Sequence, residues 1–162
     1  MANNCNMLIA SLLLLSLGTM PVYADETGIE WDIPNQEARN LSRQGEYARA
    51  VVVAKKALDV AVENVGWQHL DVAAILNNLA FLYKKLGDYA KAEPLYKWVM
   101  AIDEKSLGPD HPSVAIDLNN LAGLYRALGN HAKAEPLFKR ALAIKEKTLV
   151  LTILVWPSAL KI

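Results

Sequence analysis

The sequence predicts an all-α fold of stacked helical hairpins, and three observations lead to this prediction. The chain repeats itself with a period of 42 residues. Apolar residues within each period recur at the spacing of one helix face. A glycine followed by a capping residue separates the two helices of each period. A repeat of roughly 20 to 50 residues is typical of supersecondary units that stack and contact mainly their neighbours.

The repeat is strongest between residues 71–107 and 113–149, which are identical at 23 of 37 aligned positions. The motifs LNNLA and AKAEPL occur in both copies, the first at 76–80 and 118–122 and the second at 90–95 and 132–137. A weaker copy precedes them, because GEYA at its turn corresponds to GDYA one period later. The repeat therefore predicts three units, at residues 34–66, 71–108 and 113–149.

Each unit contains the signals of two helices joined by a tight turn. One face of the first helix is apolar in the second unit, at Leu76, Leu79, Ala80 and Tyr83. Gly87 suits the left-handed conformation that ends a helix, and Asp88 can cap the next one. In the second helix, small and aromatic residues alternate on one side, as Ala92, Tyr96 and Val99 and again as Ala134, Phe138 and Ala141. This alternation favours closely packed antiparallel helices.

These motifs resemble the tetratricopeptide repeat, and the 42-residue period with LNNLA, AEPLY or AEPLF, and the loop GPDHP is similar to the kinesin light chain subclass. The resemblance covers residues 34–149 and implies a right-handed solenoid whose first helices line a concave groove. It also implies a scaffold or adaptor that binds a protein or an extended peptide. The first unit departs from the pattern at Pro34 and Glu37, so we expect its first helix to be short and polar, after a linker at residues 25–33.

The resemblance also implies which side chains line the groove. They are Asn77, Asn78, Phe81, Lys84, Asn119, Asn120 and Arg126, with Gln36, Arg39 and Arg43 from the first unit. Asparagine is a poor choice for a helix interior, so something besides helix formation should favour it. Its amide both donates and accepts hydrogen bonds and can hold a peptide backbone, while the basic residues favour acidic groups or a terminal carboxylate. Alternatively, the paired asparagines bond between neighbouring repeats and hold the stack together.

Other side chains offer little chemistry. No phosphate-binding loop, nucleophile elbow or zinc-protease helix is present, so the sequence predicts neither an enzyme nor a cofactor. His69 and His111 recur at the repeat period in loops, where capping or loop packing explains them better than a metal site. Glu93 and Glu135 recur in the same way and indicate repeat architecture. The 17 basic and 17 acidic residues balance, which gives no general attraction to nucleic acid.

The first 24 residues lack charged side chains and contain an apolar run from Met7 to Leu17, as in a secretory signal peptide. We expect cleavage near Ala24 and export to a periplasm or to the outside of the cell. An uncleaved membrane anchor is the alternative. Cys5, the single cysteine, lies in this segment, so the mature chain has no thiol for a disulfide or a cysteine metal site.

Residues 150–162 break the repeat with an apolar tail that is too short to span a membrane. We expect it to fold back over the open face of the last helix as a cap, because a bare solenoid end reduces solubility. The tail also gives a second hypothesis of function, a structural protein that self-associates into a homodimer. A third is a regulatory repeat region detached from a longer multidomain protein.

Overall fold

The computed structural model describes the backbone of residues 29–155 and the side chains of residues 31–150. This range contains six α-helices and no strand: α1 Ile29–Arg43, α2 Tyr47–Val65, α3 Leu70–Lys85, α4 Tyr89–Leu107, α5 Pro112–Ala127 and α6 His131–Val155. They form three consecutive hairpins, so the predicted all-α repeat fold is confirmed. The predicted signal peptide at residues 1–24 lies outside the described residues.

The turn within each hairpin is built as the sequence predicts. Gly45, Gly87 and Gly129 have φ angles of 80°, 77° and 71°, in the left-handed region that favours glycine. The Asp88 side chain then accepts a hydrogen bond from the backbone N–H of Lys91 at 3.3 Å, which caps the start of α4. Asn130 caps α6 in the same way. A glycine and a capping residue together therefore reverse the chain at these two turns.

The connections between hairpins use a different backbone geometry. Gly66 and Gly108 have φ and ψ angles of 79° and 164°, and of 95° and 154°, a region that is essentially restricted to glycine. A histidine then begins the next first helix. Nδ1 of His69 accepts from the backbone N–H of Asp71 at 3.3 Å, and Nδ1 of His111 accepts from that of Ser113 at 3.2 Å. The capping role predicted for the two histidines is confirmed.

Each of the second helices α2 and α4 packs between the two first helices that flank it in the chain. The apolar face predicted for α3 is buried at Leu76, Leu79, Ala80 and Tyr83, and that of α4 at Ala92, Tyr96 and Val99. Ala50, Ala80, Ala92 and Ala122 are completely buried, and such small side chains allow neighbouring helices to approach closely. The core between the two rows of helices consists of one large cluster and a smaller, separate cluster between α5 and α6.

The first helix differs from the prediction. Far from being short, α1 has 15 residues and begins at Ile29, inside the segment expected to be a linker. Trp31, Ala38 and Leu41 are buried against the core. Pro34 lies in the second turn, as Pro94 does in α4, so the helix loses one early hydrogen bond without ending. The tryptophan supplies the apolar contact that Pro34 and Glu37 do not.

The expected cap also differs. Helix α6 runs on through Val155, so residues 150–155 extend the last helix instead of folding back over it. Leu149 and Val150 are 60% and 54% exposed. The remaining residues of the tail, 156–162, lie outside the described range. None of the helices between residues 29 and 155 combines the length and apolarity that a membrane crossing requires.

Substitution of Gly108 by alanine tests the backbone constraint between hairpins. A Cβ there would meet no other atom within 4 Å, so the cost comes from the backbone angles alone. We expect the free energy of unfolding to fall by about 1–3 kcal/mol in urea denaturation. The matched control is Gly123→Ala in the middle of α5, where alanine favours the helix by up to about 1 kcal/mol and only the flexible end of Lys84, 3.1 Å from the new Cβ, has to move aside. Equal effects at the two glycines would contradict this account.

Candidate functional site

Two asparagine–asparagine hydrogen bonds join the three first helices side by side. Nδ2 of Asn78 in α3 donates to Oδ1 of Asn35 in α1 at 3.0 Å. Nδ2 of Asn120 in α5 donates to Oδ1 of Asn77 in α3, also at 3.0 Å. We call the surface of α1, α3 and α5 that carries these bonds the first-helix face. Helices α1, α3 and α5 also carry the residues that the sequence predicts for the groove.

The two bonds occupy equivalent places in the repeat, because Asn35 and Asn78 each correspond to the residue 42 positions further on. The structural alternative considered for the asparagine pairs is therefore present: they tie neighbouring repeats together. Each such bond contributes about 1 kcal/mol. Asn119 is equivalent to Asn77 but makes no hydrogen bond within the described residues, so its amide is available to a ligand.

A small cavity of about 200 Å³ opens between α1 and α3. It brings together four of the predicted groove residues: Arg39, Arg43, Asn78 and Phe81. The Phe81 side chain is 41% exposed, which is unusual for an aromatic residue in the middle of a helix. The two guanidinium groups make hydrogen bonds to neutral side chains only, at Gln36 and Asn40. This cavity therefore offers an exposed ring beside two cations that have no carboxylate partner.

Lys84 and Arg126 form a second cationic position, one repeat apart on α3 and α5. Burial lowers the pKa of Lys84, and the positive charges of Arg126 and Lys85 lower it further. The amine has room because Gly123 replaces the phenylalanine of the preceding repeat: a Cβ at Gly123 would lie 3.1 Å from Nζ of Lys84. Two like charges thus lie close together without an acid to separate them.

The two kinds of helix differ in how their charges are paired: between residues 31 and 150, six of the eleven lysines and arginines on the second helices form ion pairs, and none of the five on the first helices does. Within the described residues, every lysine or arginine in an ion pair lies on a second helix: Arg49, Lys91, Lys97, Lys139, Arg140 and Lys147. The first helices carry five cations, and none of them meets a carboxylate of residues 31–150: Arg39, Arg43, Lys84, Lys85 and Arg126. Several lie in the last helical turn, where they stabilise the helix dipole by about 0.3–1 kcal/mol each. That effect does not require them to remain unpaired.

The other recurring residues have structural roles. Glu93 on α4 accepts a hydrogen bond from the hydroxyl group of Tyr125 on α5 at 2.8 Å, and so ties two repeats together. Its equivalent Glu135 is exposed and pairs only with Lys139 on its own helix. This agrees with the architectural role predicted for the pair. Among the residues that the structure describes, no group of three or more His, Cys, Asp or Glu side chains could hold a metal ion.

Sequence analysis missed a pair of buried carboxyl groups, Asp103 on α4 and Asp117 on α5. They are 9% and 4% exposed, and Oδ2 of Asp117 is buried without a hydrogen-bond partner. Burial, with the nearby charge of Asp103, raises the pKa of Asp117 to about 7. Burial also raises the pKa of Asp103, although its hydrogen bond with Asp117 and the neighbouring His111 partly offset this. Both groups lie at the boundary between the second and third repeats, where burial favours their uncharged forms.

The repeat itself contained the missed signal. Asp103 stands where the preceding unit has Ala61, and Asp117 stands where it has Ile75, both of which are completely buried. An aspartate at a position that is apolar in another copy of the repeat indicates an acid placed inside the core. Asn35, the partner of Asn78, was missed because Pro34 and Glu37 made the first helix look irregular.

Comparisons with known proteins agree with this architecture. The family model described as "Tetratricopeptide repeat" matches residues 33–105 and 71–147. The chain is similar to BtubC (BKLC) from P. vanneervenii, at 30% sequence identity and a TM-score of 0.69, over 72% of this chain and 46% of that one. It is also similar to the nearly identical TPR-like repeats of a putative kinesin light chain from Podosopora anserina, at 27% identity and a TM-score of 0.68, over 76% of this chain and 59% of that one.

The TPR domain of Arabidopsis FLU shares the fold alone, at 19% identity and a TM-score of 0.64, over 73% of this chain and 96% of that one. A search of curated proteins found no match. The chain thus spans about half the length of the first two similar structures. These likenesses confirm the kinesin light chain-like type of repeat that the sequence motifs indicated.

The buried acid pair predicts a pH-dependent stability. Between about pH 4 and pH 7, Asp117 loses its proton in the unfolded chain but keeps it in the folded one, so the free energy of unfolding falls as pH rises. Replacing Asp117 by asparagine removes this loss. We expect the variant to be more stable than the parent by about 2 kcal/mol at pH 8, and nearly equal to it at pH 4. Urea denaturation at both pH values measures the difference, and an equal gain at pH 4 would contradict the assignment.

Proposed function

Since the chain belongs to the tetratricopeptide repeat family, we propose that it is a scaffold that holds an extended segment of another protein along the first-helix face. The repeat fold is in general a protein-interaction scaffold. The finer proposal is that this chain uses its asparagines and unpaired cations to bind an acidic peptide. We also propose that it does so after export, in accordance with the apolar N-terminal segment.

The observation that carries this proposal is the unequal pairing of charges. Six of the eleven lysines and arginines on the second helices pair with an acid, whereas none of the five on the first helices does so within residues 31–150. Lys84 and Arg126 repel each other, and a carboxylate bound between them would relieve that repulsion. A charge-assisted hydrogen bond to a carboxylate is also about twice as strong as a neutral one. An acidic ligand would therefore supply the carboxylate groups with which these cations can pair.

The asparagines support an extended ligand. We call the two asparagine–asparagine hydrogen bonds between first helices the asparagine ladder. Each bond uses one donor of Asn78 or Asn120 and one oxygen lone pair of Asn35 or Asn77. The other groups of these amides are free to meet backbone N–H and C=O groups. Asn119, which has no partner, can do so without disturbing the stack. We therefore expect a single ladder to join the repeats and to hold a peptide backbone.

A charge reversal on the first-helix face tests the proposal. The ligands are short fluorescent peptides of alanine and serine that contain glutamate, measured by fluorescence anisotropy. Lys84→Glu combined with Arg126→Glu should weaken binding by about tenfold or more. The matched control is Lys55→Glu with Lys56→Glu, which changes the net charge equally on exposed positions of α2. If both variants lose the same affinity, only a general charge effect is present.

Asparagine substitutions complete the same experiment. Asn119→Ala should weaken peptide binding and leave the free energy of unfolding within about 0.5 kcal/mol of the parent value. Asn120→Ala removes the bond to Asn77 and should cost about 1 kcal/mol of stability. Full binding by the Asn119 variant would show that this amide does not hold the peptide. The charge-reversal experiment would then still support binding of an acidic peptide, but not hydrogen bonds from Asn119 to the peptide backbone.

A second candidate function, self-association, rests on the exposed apolar side chains of α6. Leu142, Leu149 and Val150 are all more than half exposed. If two copies pair through them, sedimentation velocity should show a mass that rises with concentration. Leu142→Glu combined with Leu149→Glu should then abolish the rise, because charges are costly in an apolar interface. A monomer at all concentrations would exclude the homodimer, whatever the result of the peptide experiments.

A further inference from the structure

A second cavity, of about 280 Å³, lies where α3, α4 and α5 meet. Its walls include Ala73, Val99 and Leu107, and its rim includes Ile116, which is 55% exposed. The polar groups that line it are Asn77, Asp103, Ser113 and Asp117. Asn77 also belongs to the asparagine ladder, so the cavity opens beside the first-helix face. A side chain of a peptide bound on that face would lie next to the cavity.

The cavity contains an unsatisfied buried acceptor. Oδ2 of Asp117 has no hydrogen-bond partner in the described part of the chain, although the residue is only 4% exposed. A buried acceptor without a partner has lost its hydration and gains no hydrogen bond in return. Asp103 beside it is a second acid, and Glu104 adds a further negative charge from α4. A ligand that brings hydrogen-bond donors and positive charge would remove this cost.

Folding does not require the acid pair. The preceding boundary between repeats has Ala61 and Ile75 at the equivalent positions, and both are completely buried. The equivalent helices α2 and α3 thus pack with apolar residues at these two positions. The two aspartates replace a stabilising apolar contact with a buried pair of acids, which is costly without a partner. Their presence calls for a ligand at this boundary and not at the preceding one.

We propose that this cavity binds the guanidinium group of an arginine in the peptide held on the first-helix face, an inference that rests on the proposed function. A guanidinium keeps its charge when buried and presents five N–H donors in a planar fork, which suits two adjacent carboxyl groups. The aliphatic part of the arginine would pack against Ala73, Val99 and Ile116. A metal ion fits less well, because the described residues supply only two acids here.

The occupied site would need both carboxyl groups ionised. The pair holds a proton when the cavity is empty, so arginine binding near pH 6 should release it. Calorimetry in buffers of different ionisation enthalpy would detect this release as a binding enthalpy that depends on the buffer. A peptide whose arginine is replaced by citrulline has the same shape without the charge, and it should bind with no such dependence.

The decisive experiment compares three peptides on two proteins. The peptides contain glutamate and differ at one position, which is arginine, citrulline or lysine. The variant Asp103→Ala/Asp117→Ile reproduces the residues of the preceding boundary, so it should fold and melt at or above the parent temperature near neutral pH. We expect the arginine peptide to bind the parent about tenfold more tightly than the citrulline peptide. The variant should bind these two equally, with the affinity of the parent for citrulline.

The outcomes separate the two proposals. If the three peptides bind the parent equally, the arginine site is wrong while binding to the first-helix face stands. If no peptide binds, both proposals are wrong. A lysine peptide that matches the arginine peptide would overturn the assignment to a guanidinium group. Should the double variant fail to fold, Asp117→Asn serves in its place, and an unchanged preference for arginine in that variant would overturn the site.

Discussion

The close approach of helices at buried alanines is the contact on which the rest of this structure depends. Ala50, Ala54, Ala57 and Ala61 are completely buried along one side of α2. Small side chains there allow α1 and α3 to pack on α2 from two directions, and the same arrangement sets the spacing of later helices. The spacing of the first helices in turn brings asparagines of neighbouring repeats to 3.0 Å from one another. Local packing thus determines the geometry of the candidate binding surface.

Much of the fold could be predicted from the sequence because repetition multiplies each signal. The glycine turns, the Asp88 cap and the apolar face of α3 all recur one period later, and all were found as predicted. The errors lie where the repeat gives no second copy. Trp31 makes α1 a full helix despite Pro34, and no equivalent aromatic exists in the other units to suggest it. At the other end, continuity with α6 outweighs the β-propensity of residues 150–155.

The part of the candidate site that recurs from repeat to repeat could also be predicted from the sequence. Residues that recur, such as Asn77 and Asn119, mark the first-helix face directly. Hydrogen bonds between repeats were only one of the two hypotheses for these asparagines, because the sequence does not show whether an amide bonds to another repeat or to a ligand. Asp103 and Asp117 were missed because they are departures from the repeat, and a departure is conspicuous only when the buried positions are known. In repeat proteins, the shared residues therefore indicate the scaffold, and the differences between copies indicate its specialised sites.

The five glycines at helix ends, Gly45, Gly66, Gly87, Gly108 and Gly129, follow one another at equal intervals of 21 residues. Their hydrogen bonds nevertheless alternate: within a hairpin the residue after the glycine donates to a carbonyl five residues earlier, as Asp88 does to Tyr83, whereas between hairpins the glycine itself donates to a carbonyl four residues earlier, as Gly66 does to Val62. Loss or duplication of a single interval would preserve the spacing of the glycines but join two helices of the same kind through the wrong turn. Such an array can therefore gain or lose length during evolution only in whole hairpins. Insertion of a single helix would disrupt the alternation of first and second helices.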